Sequence, residues 1–313
     1  MRQTGHAPAL GRLSAARRRE AWEGYLFAAP WLLGFLLFTA GPMIVSVLMS
    51  LSAWDGITPV SRVRWVGVEN YRTLFTSDPR FVKAMQNTLA YVLTAVPFGT
   101  LNALGMALLL NQEVRGQAIF RTLFYMPSVV SGVATSMMWT WLYNPSFGPI
   151  NFLLSKMGVP QEHLPGWLTD PDWALGSLVF MALWGVGNSM LIYLAGLQGV
   201  PQHLYEAADL DGASAWKRFL AVTLPMLTPT LLFNLVMGII GSFQTFTQAF
   251  IMTGGGPEDA TLFVVLYLYQ KAFQQFQMGY ASAMAWILFT LVMTLTLSLL
   301  HSSKRWVYYE GER

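Results

Sequence analysis

Long apolar stretches separated by short polar segments dominate the chain. A helix needs about 20 apolar residues to cross a bilayer, and six stretches satisfy this requirement. They cover residues 24–54, 84–111, 120–143, 173–198, 219–251 and 280–300. The pattern predicts an all-α membrane protein with one domain of six transmembrane helices. Four prolines inside these stretches predict kinks, because proline removes a helical hydrogen bond: Pro30, Pro42, Pro97 and Pro127.

Composition agrees with a membrane protein. Apolar residues make up 54% of the chain and charged residues only 11%, against about a quarter charged in soluble domains. The chain has no cysteine, so disulfides and thiolate chemistry are excluded. The 4 histidines are scattered without ligand spacing, so no metal site is predicted.

The distribution of Lys and Arg predicts the orientation. The side that holds the N-terminal tail carries 12 of these residues, and the other side carries 7. By the positive-inside rule, both termini are cytoplasmic. We therefore expect a basic cytoplasmic tail over 1–23, a membrane domain over 24–302 and a second cytoplasmic tail over 303–313. The first external loop is itself basic and aromatic, which predicts an interfacial helix there.

Two absences concern the energy source. No Asp, Glu, Lys or Arg lies well inside a predicted span, whereas gradient-driven carriers keep ionisable groups in the bilayer. The phosphate-binding pattern GxxxxGK[ST] is also missing. Any energy for transport would therefore enter from another polypeptide.

A catalytic reading has little support in the sequence. Ser189 and His301 are the one candidate pair for an intramembrane hydrolase. Ser189 lacks the glycine that should follow it, and His301 lies at the opposite edge of the membrane. We predict no catalytic residue.

The most polar interruption of the apolar pattern is the segment 201–218. Pro201 can begin a short amphipathic helix, and Gly212 supplies a left-handed stop. A second helical turn over 213–218 leads into the fifth span. One face of the first helix is predicted to hold Leu204, Ala207, Ala208 and Asp211. This face predicts docking of a soluble partner, and the alternative is a solvated connecting helix.

A stripe of small and polar residues runs along the fifth span. Its members recur at steps of three and four residues: Asn234, Gly238, Gly241, Ser242, Thr245 and Gln248. Uncharged hydroxyls and amides suit a neutral polyol or sugar, which is bound by hydrogen bonds and aromatic faces. The alternative is a small-residue contact between helices.

Two spaced motifs carry a family resemblance. Glu206-Ala207-Ala208, then Gly212, Val222 and Leu224-Pro225, is similar to the EAA signature of binding-protein-dependent ABC importer permeases, with Val222 in place of the usual Ile. A second match lies at 252–257, 269–273 and 279–283. It resembles the sugar-importing branch, in particular the larger membrane subunit of maltose-type importers. The resemblance covers about residues 25–300.

The resemblance implies the type I importer permease (MetI-like) fold, with its core at about 84–301 and a coupling loop at 201–218. It implies a non-enzymatic subunit that binds no cofactor, because ATP and Mg²⁺ belong to a partner ATPase dimer. The expected partners are that dimer, a second six-span permease, an extracytoplasmic binding protein, a sugar and the bilayer, but no nucleic acid. The implied coupling residues are Glu206, Ala207, Ala208, Asp211, Gly212, Leu224 and Pro225.

The resemblance also implies a substrate path. Its positions fall at Ser128, Gly132, Asn188, Gly238, Ser242 and Thr245. Trp184, Phe243 and Gln244 are neighbours that could stack on or bond a sugar ring. The stripe contains no basic residue, which favours a neutral sugar, and an oligosaccharide is expected. Glycerol 3-phosphate or another polyol is one alternative, and a self-contained channel or intramembrane hydrolase is another.

Overall fold

The computed structural model describes residues 15–112 and 115–308. Residues 1–14 of the predicted N-terminal tail and 309–313 of the predicted C-terminal tail lie outside this range. Within it, an antiparallel pair of short strands, β1 (Ser52–Ala53) and β2 (Arg64–Trp65), accompanies an otherwise helical chain. The α-helices are α1 (Ala15–Phe35), α2 (Gly41–Ser50), α3 (Glu69–Thr76), α4 (Pro79–Leu110), α5 (Gln117–Val129), α6 (Gly132–Leu142), α7 (Pro149–Lys156), α8 (Pro171–Trp184), α9 (Gly187–Gln198), α10 (Gln202–Leu210), α11 (Ala215–Arg218), α12 (Leu224–Phe243), α13 (Thr247–Met252), α14 (Val264–Tyr269) and α15 (Met278–Ser303). The predicted all-helical class is confirmed.

Four of the six predicted spans have long apolar helices in the structure, and a bent pair of shorter helices covers another. Four helical segments are long and apolar enough to cross a membrane: Trp22–Ser50, Pro79–Leu110, Ala215–Met252 and Met278–Ser303. A fifth crossing is possible by length if α8 and α9, which meet at a bend of 46°, act as one span. These segments correspond to the first, second, fifth, sixth and fourth predicted stretches.

The third predicted stretch, 120–143, is divided into two shorter helices. α5 has 13 residues and α6 has 11, so neither reaches the length of a span alone. The extended backbone of Val130 and Ser131 separates them. The Ser131 hydroxyl then accepts a hydrogen bond from the Ala134 amide and caps α6. The hydropathy pattern cannot show this break, because serine is common inside membrane helices.

Wide π-helical turns precede two of the prolines near the membrane helix ends. One, Leu36–Ala40, leads into Gly41-Pro42, and another, Phe219–Thr223, leads into Leu224-Pro225. A Cβ on Gly41 would lie 2.9 Å from the carbonyl oxygen of Leu36, so glycine permits the first of these turns. By contrast, α4 continues without interruption through Pro97. A π turn thus accompanies Pro42, whereas the helical pattern continues past Pro97, and the kinks at the four prolines remain predictions.

The buried side chains form two clusters at opposite ends of the bundle. The larger cluster includes Phe81, Tyr143 and Leu262 and joins the start of α4 to α6, α8, α14 and α15. The smaller cluster includes Tyr193 and Leu227 and joins the end of α4 to α9 and the start of α12. α4 runs through both clusters and is the central helix of the bundle.

Charged and phenolic side chains fasten the loop after α13 to the start of α4. The Asp78 carboxylate accepts hydrogen bonds from the hydroxyls of Tyr267 (2.8 Å) and Tyr280 (2.7 Å). The Arg80 guanidinium binds both carboxylate oxygens of Asp259 at 2.8 and 2.7 Å. This hydrogen-bonded guanidinium holds the pKa of Asp259 below its ordinary value. We name these five residues the Asp78 cluster.

The predicted helix in the first loop is present as α3. Its Asn70 amide donates to the carbonyl oxygens of Ser50 (2.8 Å) and Ser52 (2.9 Å), which holds α3 against the end of α2. Trp65 and Phe75 are each 63% exposed. Exposed aromatic rings are typical of a membrane surface, and the interfacial location of α3 remains a prediction.

The first span is attached to the bundle through its second half. α2 packs along α15, and the Trp286 indole N–H donates to the Ser46 hydroxyl at 3.1 Å. α1, in contrast, leaves Phe27 90% exposed and Trp31 70% exposed. α1 therefore presents an apolar surface that this chain does not cover within its described residues.

The close approach of α15 to β1 provides a test of the fold. A Cβ on Gly279 would overlap the Ser52 carbonyl oxygen, and the Gly279 amide donates to the Trp54 carbonyl at 3.0 Å. We expect Gly279→Ala to reduce stability by about 1–3 kcal/mol, the usual cost of overpacking. The measurement is thermal unfolding of the purified protein. Gly105→Ala is the matched control, because a Cβ there meets no atom within 4 Å; equal stability of the two variants would contradict the packing described.

Candidate functional site

The segment 201–218 forms a helical hairpin, which we name the coupling hairpin. α10 begins after Pro201, and the chain turns at Gly212 with a φ of +70°. Such a positive φ is accessible to glycine at little cost. The Ser214 hydroxyl then accepts a hydrogen bond from the Lys217 amide and starts α11. The predicted two-helix organisation of this segment is confirmed.

Burial varies within the predicted face of α10. Leu204, Tyr205 and Ala208 are half-buried, whereas Ala207 and Asp211 are exposed. Asp211 caps α10 in a helical conformation, and its amide bonds to the Ala207 carbonyl at 3.1 Å. Ala208 and Asp211 line one groove, and docking of a partner on this face remains a prediction. Of the coupling residues implied by the resemblance, Glu206 and Gly212 are exposed, and Leu224 and Pro225 form the first turn of α12.

Apolar side chains project from the tip of the coupling hairpin. Leu210 is 90% exposed and Trp216 is 67% exposed. A groove of about 470 Å³ lies next to them, lined by Ala208, Asp211, Gly212, Ala213, Lys217, Leu220 and Ala221. Leu210 and Trp216 are not among the coupling residues predicted from the sequence. Their position next to charged residues in a polar loop is the signal that could have found them.

Two polar contacts hold the coupling hairpin. The Tyr205 hydroxyl and the Thr223 hydroxyl are 2.9 Å apart, which joins α10 to the π turn before α12. The Arg218 guanidinium donates to the Asp209 carboxylate at 2.6 Å, which joins the two arms of the hairpin. The first contact connects the hairpin to a membrane helix, and the second lies within the hairpin.

A cavity of about 180 Å³ lies in the middle of the bundle between α4, α8, α9 and α12. Two predicted path residues, Gly238 and Ser242, line it together with Asn234 of the same helix. The remaining lining is Tyr91, Ala95, Val96, Gly99, Thr100, Ala182, Gly185, Val186, Ser189 and Tyr193. None of these described lining residues is charged. Hydroxyl and amide groups with aromatic rings are the chemistry that binds a sugar.

Among the residues that line the cavity, Tyr193 is distinguished by a buried hydroxyl group. Its side chain is fully buried, and its hydroxyl makes no hydrogen bond of ordinary geometry among the described residues, although the Thr100 side chain lies close to it. The Asn234 amide, by comparison, donates to the Thr230 carbonyl of its own helix at 3.0 Å. A buried polar atom without a partner is costly unless water or a ligand satisfies it. Tyr193 is not among the site residues predicted from the sequence, because an aromatic ring on an apolar helix is most often a packing residue.

Three predicted path residues on α5, α6 and α9 lie outside the lining of the cavity. Ser128 is near the α9 start, where a Cβ on Gly187 would lie 3.0 Å from its hydroxyl oxygen. A Cβ on Gly132 would lie 3.8 Å from the methyl group of Thr247. Asn188 is exposed, whereas its neighbour Ser189 lines the cavity. The structure therefore does not gather these three around the cavity.

The predicted stripe does not run along one continuous helix face. α12 ends at Phe243 and α13 begins at Thr247, so Thr245 lies in the break between them. Gly241 and Gln244 are exposed, on a different side from Ser242. The stripe prediction is therefore correct for Asn234, Gly238 and Ser242, which line the cavity, and wrong as a single continuous face.

The predicted aromatic neighbours do not line the cavity. Phe243 is 1% exposed, so its ring is buried in the bundle and cannot stack on a sugar there. Trp184 lies 6.0 Å from Trp139 in an edge-to-face arrangement. It lines a separate apolar groove of about 500 Å³ with Phe98, Leu101, Asn102, Trp139, Phe180 and Leu183.

Comparisons with known proteins place this arrangement in a family. Residues 74–306 match the family described as binding-protein-dependent transport system inner membrane component. A probable ABC transporter permease, YesP of Bacillus subtilis (strain 168), is 43% identical over 99% of each chain. The lactose transport system permease LacF of Rhizobium radiobacter is 33% identical over 90% of this chain and 94% of its own.

A solved structure extends the match to the fold. It is a crystal structure of a bacterial ABC transporter involved in the import of the acidic polysaccharide alginate, and one of its chains is 25% identical with a TM-score of 0.79. The superposition covers 93% of this chain and 98% of that chain. The helices of this chain thus follow the MetI-like permease architecture. The chain therefore belongs to the family of binding-protein-dependent transport system inner membrane components, the permease subunits of ABC transporters.

Proposed function

We propose that this chain is the membrane-spanning permease of an ATP-driven importer that carries an oligosaccharide delivered by an extracytoplasmic binding protein. The observation that carries this proposal is the cavity between α4, α9 and α12, with uncharged hydroxyl and amide groups in its lining. Relatives that transport saccharides, including the lactose permease, support it.

The chemistry of the cavity favours a neutral sugar over an anionic solute. A phosphate or carboxylate group taken out of water needs a cationic or strongly donating partner. The described lining offers Tyr193, Thr100, Ser189 and Ser242 but no Lys, Arg or His. Glycerol 3-phosphate, the alternative anionic solute, lacks such a partner in this cavity.

The coupling hairpin is the proposed docking element for an ATP-binding subunit dimer, which would hold ATP and Mg²⁺. Apolar anchors surrounded by polar groups are typical of contacts that dominate binding energy. Leu210 and Trp216 provide such anchors next to the groove at Gly212. The proposed coupling set is completed by the EAA residues and three further positions: Glu206, Ala207, Ala208, Asp211, Leu224 and Pro225.

A second six-span permease is the proposed partner in the membrane. It would cover the exposed apolar side of α1, where Phe27 and Trp31 lie. With α5 and α6 together forming the third crossing, this chain also has six spans. The excess of basic residues on one side supports a cytoplasmic location for both termini and the coupling hairpin.

Solute class can be tested with the complete importer in proteoliposomes together with its binding protein. We expect a neutral oligosaccharide such as lactose to stimulate ATP hydrolysis and to be taken up, since the cavity lining is uncharged. Alginate oligosaccharide and glycerol 3-phosphate are the anionic comparisons. Stimulation by glycerol 3-phosphate alone would support the alternative solute, and uptake without ATP would support a self-contained channel.

The cavity can be tested by filling it. A Cβ on Gly238 is in ordinary contact with Val96 at 3.6 Å, so Gly238→Ala should be tolerated. Gly238→Leu should project into the cavity and reduce ATP-driven uptake by about tenfold or more, a loss of about 1.4 kcal/mol or more, while the complex still assembles. Gly176→Leu is the matched control, because a Cβ there meets no atom within 4 Å. Normal uptake by the Gly238→Leu variant would exclude this cavity from the path.

The docking proposal can be tested at the tip of the coupling hairpin. We expect Leu210→Asp to weaken binding of the ATPase dimer by about tenfold or more, because an exposed apolar anchor is replaced by a charge. The measurement is the affinity of the purified permease pair for the ATPase. Leu153→Asp is the control, since Leu153 is also exposed, at 60%, but lies on α7. Equal affinities of the two variants would contradict docking at Leu210.

A further inference from the structure

The coupling hairpin is connected to α12 by two routes. The covalent route leaves α10 at Leu210, turns at Gly212 and returns through α11 to the π turn. The direct route is the hydrogen bond between the Tyr205 and Thr223 hydroxyls, at 2.9 Å. Within the described residues, this is the one side-chain hydrogen bond between α10 and the π turn Phe219–Thr223.

The covalent route through Gly212 is more flexible than the direct route through the Tyr205–Thr223 hydrogen bond. Its turn depends on Gly212 at a φ of +70°, where a Cβ would meet no atom within 4 Å. The Asp209–Arg218 ion pair braces the turn, but its side chains are 55% and 35% exposed. Exposed ion pairs contribute at most about 1 kcal/mol. A displacement of α10 would thus be partly absorbed at the turn.

The direct route is protected from water. Thr223 is 5% exposed and Tyr205 is half-buried, so water does not compete freely for their hydrogen bond. Thr223 is the last residue of the π turn, and the next amide, of Leu224, bonds back to the Phe219 carbonyl. A π turn is a wide and unusual helical segment that is often found at functional sites. The bond therefore holds the hairpin at the start of α12.

We propose that Tyr205 and Thr223 are positioning residues that transmit the displacement of α10 into α12. This inference rests on the proposed function, since an ATPase bound at the hairpin tip supplies the displacement. α12 carries Asn234, Gly238 and Ser242 in the wall of the central cavity. A rigid displacement of its first turn would move that wall relative to α4. Without the Tyr205–Thr223 hydrogen bond, the hairpin would still move with the ATPase, but α12 would move less.

The absence of cysteine from the chain permits a direct test. Spin labels are attached in pairs to the complete transporter, assembled with cysteine-free partner subunits. One pair, at His203→Cys on α10 and Leu109→Cys on α4, reports the hairpin. A second pair, at Phe233→Cys on α12 and Leu101→Cys on α4, reports the cavity wall. All four positions are exposed. Distances are measured without nucleotide and after trapping with Mg-ATP and vanadate.

With the unsubstituted Tyr205 and Thr223, trapping should change both distances. Tyr205→Phe removes only the hydroxyl, and we expect the hairpin pair to shift as before while the shift of the α12 pair falls to less than half. Thr223→Val should give the same loss, and the double variant should lose no more, because both substitutions break one bond. Thr223→Ser should retain the full shift, since it keeps the hydroxyl.

The matched control is Tyr143→Phe. It removes a tyrosine hydroxyl that donates to the Ser177 carbonyl at 2.9 Å, at the opposite end of the bundle, and it should leave both shifts unchanged. An undiminished α12 shift in the Tyr205→Phe variant would overturn the inference, and so would a lost shift in Thr223→Ser. If trapping moves neither pair in the unsubstituted chain, the proposed coupling function itself is contradicted.

Discussion

In the hydrocarbon core of a membrane, every backbone N–H and C=O group must find a partner within the protein. This constraint makes the chain helical, and it also restricts where the helices can stop. Irregular backbone at membrane depth is tolerated only where protein buries it or where it lines a cavity. Two of the breaks in this bundle follow that restriction. Gly185 and Val186, between α8 and α9, line the central cavity, and Ser242 lines it one residue before α12 ends.

The two ends of the bundle are held together in different ways. At one end, the Asp78 cluster joins the loop after α13 to α4 through ionised groups, and hydrogen bonds of this type are about twice as strong as neutral ones. At the other end, a single pair of hydroxyls links α10 to α12. The first end is thus suited to remain in place while the second is displaced. In the permease that we propose, a displacement at the coupling hairpin would move the start of α12 relative to α4.

Local backbone preferences and packing determine different features of the coupling hairpin. Pro201, Gly212 and Ser214 define its two short helices by their backbone preferences and capping. Packing against the bundle then selects which side of α10 is half-buried, and this side includes Tyr205. The outward side carries the signature residues Glu206 and Ala207 together with Leu210. Two of the three EAA residues are thus presented outward, whereas Ala208 is half-buried. Tyr205, which bonds to the π turn before α12, lies just before the motif.

The apolar pattern determined the membrane class and the approximate position of the apolar stretches, and Pro201 with Gly212 determined the two short helices at 201–218. All of these depend on residues near one another in the chain. The EAA pattern likewise determined the family, since its residues lie within one segment. Only the tertiary structure decided that the third stretch is divided at Val130 and Ser131, that Thr245 lies in a break between two helices, and that Gly238 and Tyr193 of different helices line one cavity. These features depend on which helices pack together. Contacts between distant segments do not produce a periodic pattern in either segment. The central cavity and the buried Tyr193 hydroxyl were therefore identified only in the folded bundle.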